Sequence, residues 1–315
     1  MITTYLGRES PAVRHLVGRH IPCNHASRQG QGRACDAYGF QLGLATLPGR
    51  SDSECHDAAG RELFEIIQEA RLPIELQPRH IFDTLIPVAV LLNPGRNPSI
   101  VPDACMPVAL PDITTQINQR RGAPQQRRRH LFDVKTIHAG TTHYYSRRGR
   151  EEQSGAVHER ELRVWHDYQS HARALDRSYS PAGTQPVLQR LQSFGRTRGL
   201  VFGAYGEASA DVHTLLGMAA EAQAEELWRE AGARTASEMR AILIGRMRRR
   251  VGMGTVQAMA RHRLARVPYV GVSRAVVQAR AQRRAQPAGA GWVYDAQDIY
   301  LDVALYQGGG GRGGA

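Results

Sequence analysis

The spacing of hydrophobic residues predicts one helix near the start of the folded part of the chain. Between residues 53 and 71, apolar side chains recur at the three-one-three spacing that brings them onto one helical face. They are Leu63, Ile66, Ile67 and Ala70. Pro73 follows and ends the pattern.

Three apolar stretches after this helix predict strands. They cover residues 81–92, 100–110 and 130–138. Pro87 interrupts the first, and the turn signal Asn93-Pro94-Gly95 follows it. The polar, arginine-rich residues 111–129 predict a long hairpin connection between the second strand and the third.

Past residue 140 the pattern becomes mainly helical. An apolar stripe predicts a helix around residues 157–175, a short strand follows at 200–205, and Ser209 and Thr235-Ala236-Ser237-Glu238 are helix-start signals. The order indicates an α/β core with a C-terminal helical extension. We therefore divide the chain into an irregular segment 1–54, a core 55–206, a helical extension 207–270 and an Arg/Gly-rich flexible tail 271–315.

Composition excludes several classes of protein. The 315 residues are 42% hydrophobic and 22% charged, which excludes wholesale disorder. No apolar run is long enough to span a membrane, and residues 1–20 lack a secretory signal. Four cysteines are too few for a disulfide scaffold. We expect an intracellular protein, nuclear or cytoplasmic, with no membrane association; its oligomeric state is left open.

The basic residues are unusual in kind as well as number. There are 41 Lys+Arg against 29 Asp+Glu, a net charge of +12, and Lys135 is the only lysine among them. This charge predicts a nucleic acid as the partner. Candidate nucleic-acid contacts flank the third strand: Arg127, Arg128, Arg129, His143, Tyr144, Arg147 and Arg148.

The lone lysine belongs to a constellation with two aspartates. Alternation along a strand puts Asp133 and Lys135 on one face, with Phe132 and Val134 on the other. Asp103 opens the preceding strand after a proline, and would approach Asp133 if the two strands pair. Asp112 also follows a proline and is the alternative, although a turn is its ordinary setting. Two carboxylates with open positions suit Mg²⁺.

Pro102-Asp103 followed by Asp133-Val134-Lys135 resembles the motif of the PD-(D/E)xK, or restriction-endonuclease-like, nuclease superfamily. The resemblance covers roughly residues 55–206. The residues 132–137 and 199–204, with Glu207 and Ser209 beyond them, are also similar to endonuclease-like domains of mobile elements.

The resemblance implies a fold and a reaction. The fold is a restriction-endonuclease-like mixed β-sheet core flanked by helices, and the reaction is metal-dependent hydrolysis of DNA phosphodiester bonds. Asp103, Asp133 and the Val134 carbonyl would hold Mg²⁺ or Mn²⁺, and Lys135 would assist the attacking water. The leading helix would add a glutamate, for which Glu62 is preferred over Glu65 and Glu69.

The N-terminal cysteines and histidines raise the question of zinc. The group comprises Cys23, His25, Cys35, Cys55 and His56, without the two close pairs of a strong zinc site. Related mobile-element segments carry His and Cys where this chain has Gln41 and Ala45, which argues against a closed zinc site. Two alternatives to an active nuclease stay open: an inactive nucleic-acid-binding remnant, and a structural interaction domain using the helices after Gly206.

Overall fold

The structure is a computed structural model that describes residues 11, 13–21, 33–44, 54–92, 100–107, 129–139, 144 and 153–272. The chain divides into two compact units. One comprises Met1–Glu54 with Ala258–Ala315, and the other comprises Cys55–Gln257. Within the described residues, no helix combines the length and the apolar character that crossing a bilayer requires.

The smaller unit contains short elements around a small apolar core. Strands β1 (His20–Ile21) and β2 (Arg33–Ala34) pair antiparallel, and helix α1 (Phe40–Leu44) follows. Asp36 fixes the start of α1, since its carboxylate accepts hydrogen bonds from the backbone N–H groups of Tyr38, Phe40 and Gln41. The core comprises Val13, Leu16, Ile21, Cys35, Leu42 and Val270.

The larger unit is a mixed α/β structure with helices flanking a four-stranded sheet, as the sequence predicted. The sheet order is β3-β4-β5-β6, with antiparallel pairing up to β5 and parallel pairing between β5 and β6. In chain order its elements are α2 (Glu54–Glu69), β3 (Glu75–Leu76), α3 (Val88–Leu92), β4 (Ala104–Pro107), β5 (Arg129–Thr136), α4 (Gln153–Tyr179), α5 (Pro186–Ser193), β6 (Arg198–Phe202), α6 (Ala210–Leu227) and α7 (Ala236–Leu264).

Strand β5 divides the core of this unit into two halves. Phe132 and Val134 face a cluster that includes side chains of α2, α6 and α7. Leu131 faces the opposite cluster, built with side chains of α4 and α5. The alternation predicted for this strand is therefore confirmed, and Asp133 and Lys135 belong to the α4 side by the same period.

Within the described residues the helices and strands predicted from the sequence are confirmed except in one stretch, whereas β3 and α5 were not predicted. Most of the predicted connection 111–129 and of the predicted tail 271–315 lies outside the described residues. The helix at 53–71 is α2, and the strands at 100–110 and 130–138 are the shorter β4 and β5. The strand predicted at 81–92 is wrong. A 3-10 turn, Arg79–Phe82, and the short helix α3 stand there instead. Pro87 precedes α3, where its missing N–H costs no hydrogen bond, so the proline starts a helix instead of interrupting a strand.

A glycine in β6 allows α4 to lie close to the sheet. Gly199 pairs with Asp133, and a Cβ on it would lie 2.9 Å from Val164 Cγ2 and 3.1 Å from Glu161 Cα. The second of these atoms is backbone and cannot move aside alone. The absence of a side chain at Gly199 therefore sets the distance between α4 and the strand pair β5–β6.

We expect Gly199→Ala to destabilise the protein by about 1–3 kcal/mol, because the added methyl group forces α4 away from β6. Gly245→Ala is the matched control. Gly245 lies in α7 with nothing near the Cβ position, so the same change should stabilise the helix by about 0.5–1 kcal/mol. Urea unfolding of both variants measures the difference, and equal effects of the two changes would contradict the close approach of α4.

Candidate active site

The aspartate and the lysine of β5 form an ion pair at the border between core and solvent. Lys135 Nζ lies 2.6 Å from Asp133 Oδ2. The Asp133 side chain is only 6% exposed, whereas that of Lys135 is 33% exposed. The carboxylate is thus fixed inside the protein, while the ammonium group reaches water and anything that binds there.

Helix α4 contributes a second partner for the buried carboxylate. The Tyr168 hydroxyl donates a hydrogen bond to Asp133 Oδ1 at 2.8 Å, and the tyrosine is itself buried. Burial raises the pKa of Asp133, since it disfavours the charged form. Lys135 and Tyr168 act against this rise, and the negative charge of Asp103 adds to it. A cation bound beside Asp133 would therefore lower its pKa and favour the ionised carboxylate.

The structure brings Asp103 next to this pair. The register aligns Ala104 with Phe132, so Asp103 leads into β4 where Asp133 lies on β5. Asp103 Oδ2 accepts a hydrogen bond from the Val134 N–H at 2.6 Å, in the position that a further β4 residue would take. Asp103 lies just before β4, and its negative charge raises the pKa of Asp133. The two aspartates are therefore close in space.

The Val134 carbonyl faces the same edge of β5. In a strand, the N–H and C=O of one residue point to the same side, and the Val134 N–H points to Asp103. β4 begins at Ala104, so regular pairing with β5 ends at Phe132, and the Asp103 side chain takes the next position along that edge. Asp103, Val134 and the Asp133–Lys135 ion pair are thus neighbours at this end of the β4–β5 pair.

His56, in the first turn of α2, also belongs to this group. Its Nε2 atom lies 3.2 Å from Asp103 Oδ2, and its Nδ1 atom lies 2.9 Å from Asp57 Oδ1. Burial and the charge of Lys135 lower the pKa of His56, but the hydrogen bond and charge of Asp103 and the hydrogen bond of Asp57 outweigh them and raise the pKa to about 9. At neutral pH without metal, His56 is therefore an imidazolium paired with Asp103.

The same contacts act on Asp103 in the opposite sense. Burial raises its pKa, but the His56 hydrogen bond and charge, the Val134 N–H and the charge of Lys135 together bring it below its usual value. The surroundings of Asp103 therefore favour its ionised form, whereas those of Asp133 disfavour it. The pKa values of two neighbouring carboxylates are thus shifted in opposite directions.

The α2 glutamates make their described contacts with a different residue. Arg250 of α7 binds Glu62 and Glu65 at 2.9 and 2.8 Å and also binds Glu69. No described hydrogen bond or ion pair joins Glu62 to Asp103, Asp133 or Lys135. All three glutamates of α2 thus bind the same arginine.

Among the candidate nucleic-acid contacts, only two lie in the described residues. Arg129 forms an ion pair with Glu75 of β3, and the Tyr144 hydroxyl donates to Glu207 and accepts from the Ala204 N–H. The candidates outside the described residues are Arg127, Arg128, His143, Arg147 and Arg148, and the alternative aspartate Asp112 lies outside them too.

The N-terminal cysteine and histidine group is only partly described. Cys23 and His25 fall outside the described residues, Cys35 is buried in the core of the smaller unit, and Cys55 is buried in the larger one. Proximity in the sequence groups His56 with these cysteines. Its position in the first turn of the leading helix is the signal that could link it to the aspartates instead.

No protein-family model, no curated protein and no solved structure matches this chain. The interpretation of the site therefore depends on the geometry of the side chains around Asp103 and Asp133.

We expect the His56 ring to titrate near pH 9 in metal-free buffer, measured by NMR of the histidine side chains. In Asp103→Asn the pKa should fall well below that of the parent, since burial remains while the largest favourable contact is lost. His80→Gln serves as the control, because His80 pairs with Glu75 and should leave the His56 titration unchanged.

The stability linked to His56 follows from the direction of this shift. A raised pKa means that protonated His56 stabilises the folded state, fully below the ordinary value of 6.5, and that this contribution disappears as the pH rises through about 9. The difference in unfolding free energy between the parent and His56→Gln should shrink over that interval. A difference that is constant from pH 6 to pH 10 would contradict the ion pair.

Proposed function

We propose that the larger unit is a metal-dependent nuclease of the restriction-endonuclease-like class that hydrolyses DNA phosphodiester bonds. The observation that supports this proposal is that Asp103, at the start of β4, lies close enough to the Asp133–Lys135 ion pair of β5 for its charge to act on Asp133. The mixed sheet with a helix before it and a helix and parallel strand after it is compatible with this class. An origin in a mobile element follows from the sequence resemblance alone.

The donor atoms fit a hard divalent cation. Asp133 Oδ2 is buried and makes the ion pair with Lys135, but it accepts no aligned hydrogen bond from the described residues. That oxygen retains lone pairs for a cation. Together with Asp103 and the Val134 carbonyl, it would form the all-oxygen set that Mg²⁺ or Mn²⁺ takes, with water in the remaining positions.

A bound divalent cation would supply charge neutralisation at the phosphate and a lower pKa for its bound water. The protein side chains would do the rest. Tyr168 holds Asp133 in one orientation through the hydrogen bond to Oδ1. Lys135, exposed next to Asp133, would donate to the attacking water or to a phosphate oxygen. The water oxygen would lose a proton to bulk water and bond to phosphorus, while the bond from phosphorus to the leaving sugar oxygen breaks and that oxygen takes up a proton from bulk water.

The choice of lysine at this position supports the same role. The chain uses arginine for every other basic residue. An ammonium is compact, and it fits between one carboxylate and one water, whereas a guanidinium is planar and wider. A site that needed only positive charge would be served by either residue.

We expect Lys135→Arg to reduce cleavage of plasmid DNA by 100-fold or more, nearly as much as Lys135→Ala, with Mg²⁺ or Mn²⁺ present. The guanidinium keeps the charge but cannot occupy the compact position beside Asp133. Folding and DNA affinity should stay close to those of the parent, because the loss concerns transition-state stabilisation. Cleavage by Lys135→Arg at the parent's rate would refute this role for the lysine.

We expect DNA binding by the full chain to weaken steeply between 50 and 200 mM salt, because arginine–phosphate contacts release counterions. Fluorescence anisotropy with a labelled duplex and a labelled single strand measures this slope. Binding with a steep slope but no cleavage under any divalent cation would favour the inactive nucleic-acid-binding remnant. Affinity that is unchanged by salt, or absent at 50 mM, would remove DNA as the partner.

A further inference from the structure

We propose that His56, and not a glutamate of α2, is the ligand that the leading helix contributes to the metal. The site would then consist of two carboxylates, one carbonyl and one imidazole, and it would select Mn²⁺ over Mg²⁺. This inference rests on the proposed function, because it concerns the cation that Asp103 and Asp133 hold there.

The first argument is the position of α2 against β5. Its residues Ala59 and Leu63 belong to the same core cluster as Val134. A Cβ on Gly60 would lie 3.5 Å from Val134 Cγ2, which is van der Waals contact. Gly60 is one helical turn beyond His56, so the first turn of α2 lies beside Val134, where the strand edge binds Asp103.

The second argument is the orientation of the imidazole. Nδ1 is held by Asp57 at 2.9 Å, which leaves Nε2 directed at Asp103 Oδ2, 3.2 Å away. Histidine ligands of metals commonly have this arrangement, with a carboxylate on one ring nitrogen and the metal on the other. Asp57 would orient the ring, and Nε2 would release its proton when it binds the cation.

The third argument removes the alternative ligand. Glu62 lies six residues after His56, which is about 9 Å further along the helix axis. Its carboxylate binds Arg250 at 2.9 Å, and its Cγ atom packs so near Gly254 that a Cβ there would approach it to 2.9 Å. Glu62 would have to leave both contacts for its side chain to turn toward Asp103, which contacts the first turn of the helix.

The ligand set determines the choice of metal. Mg²⁺ prefers oxygen ligands and retains its water, whereas imidazole nitrogen suits the transition metals. Mn²⁺ accepts carboxylates as readily as Mg²⁺ does. As a transition metal, it also accepts imidazole nitrogen more readily than Mg²⁺ does. We expect Mn²⁺ to bind at least about tenfold more tightly than Mg²⁺, and His56→Glu to bring the two affinities together.

The test measures Mn²⁺ binding directly and does not depend on cleavage. Calorimetric titration of the full chain gives the affinities for Mn²⁺ and Mg²⁺. Electron spin echo envelope modulation of bound Mn²⁺ detects coordinated ¹⁴N. The parent should show this modulation, and His56→Gln should lose it while binding Mn²⁺ about tenfold more weakly. Glu62→Gln and His80→Gln are the matched controls, and both should keep the modulation and the affinity.

A further variant separates the two proposals. Asp133→Asn should greatly weaken Mn²⁺ binding if the metal site of the proposed function exists. If binding depends on Asp133 but the ¹⁴N modulation is absent, or persists in His56→Gln, then His56 is not a ligand while the site at the aspartates stands. If Asp133→Asn leaves binding unchanged, the aspartate site and the role of His56 both fail. Circular dichroism and thermal melting of each variant establish that it is folded.

Discussion

The burial of the Asp133 carboxylate is the constraint on which the arrangement of the larger unit depends. A charge in the interior is costly unless it is paired and hydrogen-bonded. Lys135 supplies the pairing and Tyr168 supplies the hydrogen bond. The tyrosine reaches the carboxylate because α4 lies close against β6 at Gly199, the residue paired with Asp133. A missing side chain on one strand thus allows the buried charge on its neighbour.

The other face of β5 positions the remaining groups. Phe132 and Val134 are completely buried in the core that α2 shares, so the packing of α2 fixes its first turn over the strand edge. The Val134 N–H binds Asp103 at that edge, and His56 reaches Asp103 from α2. The positions of the site residues at this end of β5 therefore depend on hydrophobic packing on one face of the strand and on a buried charge on the other.

The sequence predicted the parts of the site that depend on local rules. Alternation along β5 gives the faces of Asp133 and Lys135, and a proline before Asp103 marks the approach to β4. Tyr168 and His56 reach the site through hydrogen bonds to residues 35 and 47 positions away in the sequence. A pattern of local spacing cannot predict contacts over such separations. The strand predicted at 81–92 failed for a related reason. A short apolar run suits a buried helix as well as a strand, and only packing against α4 and α5 decides between them.

The contrast between Arg250 and Lys135 shows how shape separates two positive charges. Glu62, Glu65 and Glu69 recur at three- and four-residue intervals on α2, so their carboxylates line one side of the helix. The guanidinium of Arg250 has five donors in a plane and can bind all three. Beside Asp133 there is a single carboxylate oxygen to pair and an open side toward water. A planar group that spans several acceptors suits the first setting, and a compact ammonium that leaves room for a small molecule suits the second.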